Sequence, residues 1–155
     1  MATINGTNSS DYNLQGTNGS DLIRAGAGND KVIANSGNDT VHGGRGNDFI
    51  SGGFGADKIY GDNGDDYLKG DDGADSFHFT LGNGNDTVAD YRPQEGDTWV
   101  LYGVTPQYID LGSSTLVLLD GYNDTIEFLF TEPSELRDHL TIQSAAQYDW
   151  GNVLI

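Results

Sequence analysis

The chain has 155 residues, with seven Lys and Arg against 24 Asp and Glu and a formal net charge of −17. That sign excludes nucleic-acid binding, which needs a basic surface to neutralise phosphates. With no cysteine and three histidines (His42, His78, His139), disulfides are excluded and thiolate- or imidazole-seeking metals find little to bind.

The first twenty residues hold neither a basic stretch nor an apolar run, so the sequence predicts no N-terminal signal peptide and no membrane span. Residues 1–15 read as a degenerate capping repeat. Gly6–Asp11 has the glycine-to-aspartate spacing of Gly16–Asp21, with Ile4 in the apolar position ahead of it and one extra residue before Gly16.

From Gly16 to His78 a nine-residue period runs unbroken: GTNGSDLIR, AGAGNDKVI, ANSGNDTVH, GGRGNDFIS, GGFGADKIY, GDNGDDYLK and GDDGADSFH. The fourth position is always glycine. The sixth is always aspartate (Asp21, Asp30, Asp39, Asp48, Asp57, Asp66, Asp75), and the eighth is always large and apolar (Ile23, Val32, Val41, Ile50, Ile59, Leu68, Phe77). A glycine-rich turn of six residues leaves about three for a strand, too few for a helix. Alternation then points the eighth residue inward and its two neighbours outward. Two units make an 18-residue coil, and coils stack at the ~4.8 Å strand spacing. One edge therefore stacks Asp21, Asp39, Asp57 and Asp75, and the other stacks Asp30, Asp48 and Asp66.

Carboxylates ~5 Å apart repel by roughly 3 kcal/mol at an effective dielectric of ~20. A cation between them removes that cost. Calcium fits, taking six to eight oxygens in a tolerant geometry, whereas magnesium demands a tight octahedron. The turn carbonyls of Gly19, Gly28, Gly37, Gly43, Gly44, Arg45, Gly46, Gly52, Gly53, Phe54, Gly55, Gly61, Asn63, Gly64 and Gly73 are candidates for the remaining ligands. Seven loops make five stacked pairs. Asp11 over Asp30, and Asp86 (in Leu81-Gly-Asn-Gly-Asn-Asp86) over Asp66, extend the expectation to five to seven calcium ions. One buried apolar residue in nine cannot offset backbone ordering of ~1–2 kcal/mol per residue, so binding and folding are expected as one coupled event.

Past Phe79 the period breaks. Asp97–Tyr102, Thr115–Leu119 and Thr125–Thr131, separated by turn signals such as Asp120–Asp124, read as short antiparallel strands. Pro133–His139 reads as one helical turn with Leu136 and Leu140 facing inward. The large apolar residues here, Trp99 and Trp150 among them, suit a cap closing the open end of the stack. Core packing is also the favoured use of Tyr102, Tyr108 and Tyr122. The expected division is a cap at 1–15, a calcium-binding roll at 16–78, a closing segment at 79–142 and a tail at 143–155.

Residues 16–78 resemble the parallel β-roll of the RTX, or hemolysin-type calcium-binding, family of type I-secreted toxins, serralysin-type proteases, lipases, adhesins and alginate C5-epimerase R-modules. Gly84–Tyr91 through Gly96–Leu101 resembles the segment closing such rolls, and Asp124–Phe128 through Ile142 the strand and short helix that follow. The resemblance implies an all-β chain that stays unfolded in calcium-poor cytosol, leaves through type I secretion machinery on a C-terminal signal, and folds extracellularly on calcium. Asp149–Ile155 is similar to such a signal. Departures from the pattern (Ala25 and Ala34 at position one; Thr17, Asn35, Asp62 and Asp71 at position two) weaken the first two coils and the last relative to Gly43–Asp57.

The leading reading is thus a non-enzymatic, secreted calcium-binding module. Neither HExxH nor GxSxG occurs, and the aspartates are accounted for by metal. The alternative is a module of a larger secreted enzyme that binds anionic polysaccharide or a cell surface. Outward residues of mixed basic and aromatic character, Lys58, Lys69, Tyr60 and Tyr67, would then make the contact.

Overall fold

The computed structural model describes residues 1–103, 106–119, 124–129 and 133–143. Strands, numbered in chain order, alternate between two sheets. One stacks β1 (Thr3–Asn5), β3 (Leu22–Ala27), β5 (Thr40–Arg45), β7 (Lys58–Asn63), β9 (Ser76–Thr80), β11 (Thr98–Tyr102) and β15 (Leu140–Gln143), every neighbouring pair parallel. The other stacks β2 (Leu14–Gln15), β4 (Lys31–Ile33), β6 (Phe49–Phe54), β8 (Tyr67–Asp72), β10 (Asn85–Val88) and β14 (Thr125–Leu129) in parallel, then adds β13 (Ser114–Leu119) and β12 (Pro106–Asp110) antiparallel. This is the parallel β-roll that the nine-residue period demands.

The register is set by the eighth position. Ile23, Val41, Ile59 and Phe77 pair in sequence down one sheet, Val32, Ile50 and Leu68 down the other, and each is fully buried. The ladders continue through Trp99 and Leu140 on one side and Val88 and Phe128 on the other. Side chains thus enlarge toward the closing end, where Trp99 meets Phe128 with ring centroids 5.3 Å apart and donates its indole N–H to Leu136 O at 2.8 Å. Leu136, on the short helix α1 (Pro133–Asp138), is fully buried, and Leu140 packs against the same core. Burying each such side chain contributes about 1.5–3 kcal/mol.

Three expectations need correction. The strands β3, β5, β6, β7 and β8 run to six residues, not three, while β4 keeps three. At position two the chain takes left-handed φ (Gly44 105°, Asp62 68°), which curls the strand while Gly44 and Asp62 still pair across the ladder. Asn35, Asp62 and Asp71, the non-glycines there, are residue types that tolerate this basin.

Second, β11 is parallel to β9 and β15, and β14 is parallel to β10 and antiparallel only to β13. The loss of period beyond Phe79 comes from insertions in the turns, with registers of 20 and 22 residues replacing 18, while the coil itself persists. The expected Thr125–Thr131 strand extends past the described residues, as do Tyr122, Trp150, most of the Asp120–Asp124 turn and the tail beyond Gln143.

Third, position nine does not simply face solvent. On the first sheet His42, Tyr60 and His78 are buried, their rings stacked at 4.3 Å centroid spacing, with Tyr102 next to His78. His42 Nδ1 lies 3.0 Å from Asp62 Oδ2, and burial pulls His78 down to about 3, so it is neutral in the stack. Side chains 4.8 Å apart on parallel strands cover one another when they are flat rings.

Candidate metal centre

Each turn of the roll delivers its aspartate at or near the start of a strand, so successive carboxylates rise along two edges. Asp21, Asp39, Asp57, Asp75 and Asp97 precede β3, β5, β7, β9 and β11. Asp30, Asp48 and Asp66 precede β4, β6 and β8, Asp11 lies ahead of β2, and Asp86 falls within β10. Along both edges one contact repeats: the main-chain N–H of each aspartate donates to Oδ1 of the aspartate one rung on. The distances are 2.6 Å for Asp21 to Asp39, 2.8 Å for Asp39 to Asp57 and 2.9 Å for Asp57 to Asp75. The second edge shows 2.6 Å for Asp11 to Asp30, 2.8 Å for Asp30 to Asp48 and for Asp48 to Asp66, and 3.0 Å for Asp66 to Asp86.

A second row runs in the opposite direction at position five. Asn29 Oδ1 accepts the N–H of Asn47, Asn47 Oδ1 that of Asp65, and Asn38 Oδ1 that of Ala56. The two rows clamp neighbouring turns and hold the carboxylates at a fixed height. This asparagine row was missed in the repeat pattern, although its signal, Asn-Asp at positions five and six, is visible in three repeats.

Oδ1 is thereby satisfied, and Oδ2 is not. The Oδ2 atoms of Asp30, Asp39, Asp48, Asp57, Asp66 and Asp75 are buried and have no hydrogen-bond partner. A Cβ placed on Gly52 would lie 2.5 Å from Asp57 Oδ2 and 2.8 Å from Gly70 O of the next rung; Gly43 stands in the same relation to Asp48 Oδ2 and Gly61 O. In these two loops carboxylate and carbonyl oxygens thus converge on a spot that a side chain at the glycine would crowd. Other carbonyls are partly committed: those of Arg45, Phe54 and Asn63 accept the N–H of Gly28, Gly37 and Gly46.

Burial raises the carboxyl groups, with neighbouring carboxylates adding to the shift and the hydrogen bond from the preceding rung opposing it. Asp39 goes to about 6, Asp48 and Asp75 to about 7, Asp66 to about 9, and Asp86 well above its usual range. Asp21 moves the other way, held low by N–H bonds from Thr17 and Ala2 and by the Thr17 hydroxyl. Buried, unpaired carboxylate oxygens are costly unless neutralised. A hard dication accepting several oxygens answers that need, so the residues fit calcium. Among the described residues no three His, Cys, Asp or Glu side chains converge on one point, so each site would draw on two carboxylates and main-chain oxygens.

One residue of the edges escaped the spacing rule. Asp97 lies 22 positions after Asp75, yet its Oδ1 accepts the Asp75 N–H at 2.9 Å and its Oδ2 accepts the Arg92 N–H at 2.7 Å. It is buried and raised to about 6 by burial. A 3-10 turn, Pro93–Glu95, replaces the glycine turn before it. The signal was Asp-x-apolar (Asp97, Thr98, Trp99), not the glycine spacing.

The four outward residues considered for polysaccharide divide between opposite sheets. Lys58 and Tyr60 lie on β7, where Tyr60 is enclosed between the two histidines. Tyr67 and Lys69 lie on β8, where Lys69 is engaged by Asp71. They do not form one surface.

The family model of the RTX calcium-binding nonapeptide repeat, four copies long, matches residues 15–50, 42–77 and 51–88. No curated protein matches the chain. Among solved structures, the R3 subunit of the mannuronan C5-epimerase AlgE6 from Azotobacter vinelandii is 24% identical with a TM-score of 0.53. Here 93% of this chain covers 83% of the subunit. The R2 subunit of the same enzyme is 19% identical with a TM-score of 0.52, covering 91% and 92% of the two chains. The extracellular lipase LipA from Serratia marcescens is 11% identical with a TM-score of 0.48, and the match covers 88% of this chain and 39% of the lipase.

Proposed function

Because residues 15–88 belong to the RTX calcium-binding nonapeptide-repeat family, whose repeats bind calcium, we propose that this chain is a non-catalytic module that folds when calcium fills its two aspartate edges. The carrying observation is the set of six buried Oδ2 atoms without partners. Asp30, Asp39, Asp48, Asp57, Asp66 and Asp75 would hold the ions together with carbonyls such as those of Gly61 and Gly70. That is six ions, within the expected five to seven. The ion supplies charge neutralisation: six dications bring twelve positive charges against −17. The chain's own part is to fix Oδ1 by rung-to-rung hydrogen bonds so that Oδ2 faces the gap.

Coupling of folding to calcium gives the module a direction, extended where calcium is scarce and compact where it is plentiful. That suits export through type I machinery and folding outside the cell. Among the described residues no helix is long and apolar enough to cross a membrane. The test is circular dichroism of calcium-stripped protein during titration. Calcium should produce a cooperative gain of β signal that equal magnesium does not reproduce. A fully formed roll in the stripped protein would sink the proposal.

A second reading, binding of an anionic polysaccharide, is favoured by one feature of the second sheet. Phe49 and Tyr67 stack at 5.6 Å on its outer face, and Lys31 sits 5.7 Å over the Phe49 ring. Flat rings beside a cation suit a charged sugar. Retardation in alginate affinity gels that Lys31→Glu abolishes would support it, and no retardation with calcium present would remove it.

A further inference from the structure

Two of the ten edge aspartates differ from the central six, and in the same way. In the loop Gly6–Asp11 the Thr7 N–H donates to Asp11 Oδ2 at 2.7 Å, and the Thr7 hydroxyl lies 3.1 Å from the same oxygen. In the loop Gly16–Asp21 the Thr17 N–H and hydroxyl both reach Asp21 Oδ2 at 2.7 Å. Both threonines occupy position two of the repeat, where the six later loops carry Gly26, Asn35, Gly44, Gly53, Asp62 and Asp71, all at left-handed φ. Neither threonine is in that basin. The reason is steric: a β-branched side chain is a severe outlier at positive φ. Kept out of the left-handed region, the threonine peptide turns its N–H into the loop, onto the carboxylate oxygen that the later loops leave bare.

Resting on the calcium reading proposed above, we infer that the first rung of each edge is a latent calcium site held shut by a single threonine. Thr7 and Thr17 hydrogen-bond Asp11 and Asp21 where the later loops would hold an ion, so the Asp11–Asp30 and Asp21–Asp39 gaps stay metal-free. The ladders of ions begin at Asp30 and Asp39. Chemically the substitution is balanced. A carboxylate oxygen needs either a cation or donors, and Asp21 Oδ2 receives two donors from one residue. The consequence is a roll whose N-terminal rung is closed without calcium, giving a formed template on which the first ion-bearing rungs stack.

Equilibrium dialysis of the full chain against calcium, counting bound ions per chain, tests this. Wild type and Asp21→Asn should bind the same number, while Asp57→Asn binds fewer. Thr17→Gly removes the hydroxyl donor and restores access to the left-handed basin, which lets the N–H turn away from Asp21 Oδ2, so it should bind one ion more than wild type. Thr17→Val keeps the branched side chain and the N–H bond, and should gain none. Loss of an ion in Asp21→Asn overturns the inference, as does the absence of any gain in Thr17→Gly. A wild type that binds no calcium at all removes the calcium reading and this inference together, a result distinguishable from either of those.

Discussion

The Asp75 N–H donates to Asp97 Oδ1 at 2.9 Å across 22 residues of chain, the same contact that Asp57 makes to Asp75 across 18. The four extra residues are absorbed in the turn that holds Pro93–Glu95, so the carboxylate arrives at the height the edge requires. Asp97→Ala should therefore act like loss of a regular repeat aspartate. It removes a charge-assisted hydrogen bond worth about 1.5–3 kcal/mol and leaves the Asp75 N–H unpaired. The calcium midpoint followed by circular dichroism should rise about tenfold or more. A midpoint unchanged from wild type would place Asp97 outside the ladder.

Position along the edge should grade the effect. Asp48 accepts from Asp30 and donates to Asp66, and its Oδ2 is buried and bare; Asp11 has only the Asp30 contact above it and an Oδ2 already served by Thr7. Asp48→Ala is expected to raise the calcium midpoint at least tenfold more than Asp11→Ala. Equal effects would argue against the register.

Acid should substitute in part for calcium. In the metal-free fold Asp48 and Asp75 stand at about 7 and Asp66 at about 9, above the ordinary value of 3.8. The folded state thus holds protons that the unfolded chain releases, and by linkage the stability of the metal-free fold falls as pH rises from about 4 through 7 to 9. Stripped protein moved from pH 8 to pH 5 should gain β signal, and apparent calcium affinity should drop over the same interval as protons compete. A stripped chain insensitive to pH across that range would contradict the burial of these groups.

The closing end should be held largely by packing. Trp99 is fully buried, meets Phe128 edge-on and bonds Leu136 O. Trp99→Ala should cost about 3–5 kcal/mol in the calcium-loaded form, measured by urea unfolding at saturating calcium. The deficit relative to wild type should persist at every calcium concentration, because added calcium stabilises both proteins alike.

Much of this molecule could be read from residue spacing. A strict nine-residue period predicts a coil of 18, and Val41 over Ile59 or Ile50 over Leu68 follows from that alone. Strand direction past Phe79 could not be read. A strand such as Thr98–Tyr102 has the same composition whether its partner runs parallel or antiparallel, and the choice depends on the route of the connection before it. The His42–Tyr60–His78 stack was hidden for a related reason. The sequence marks position nine as outward, but enclosure depends on the shapes stacked above and below.

The repeat by itself determined the roll, its core ladder and the placing of an acid at or near the start of each strand, because those depend on periodic local geometry that repeats identically from turn to turn. Only the tertiary structure decided which carboxylate oxygens are left bare, which are sealed by Thr7 and Thr17, and that Asp97 closes an edge. Those outcomes turn on which N–H groups point at a given oxygen, and that is set by backbone basin and by neighbours in space, neither of which a spacing rule records.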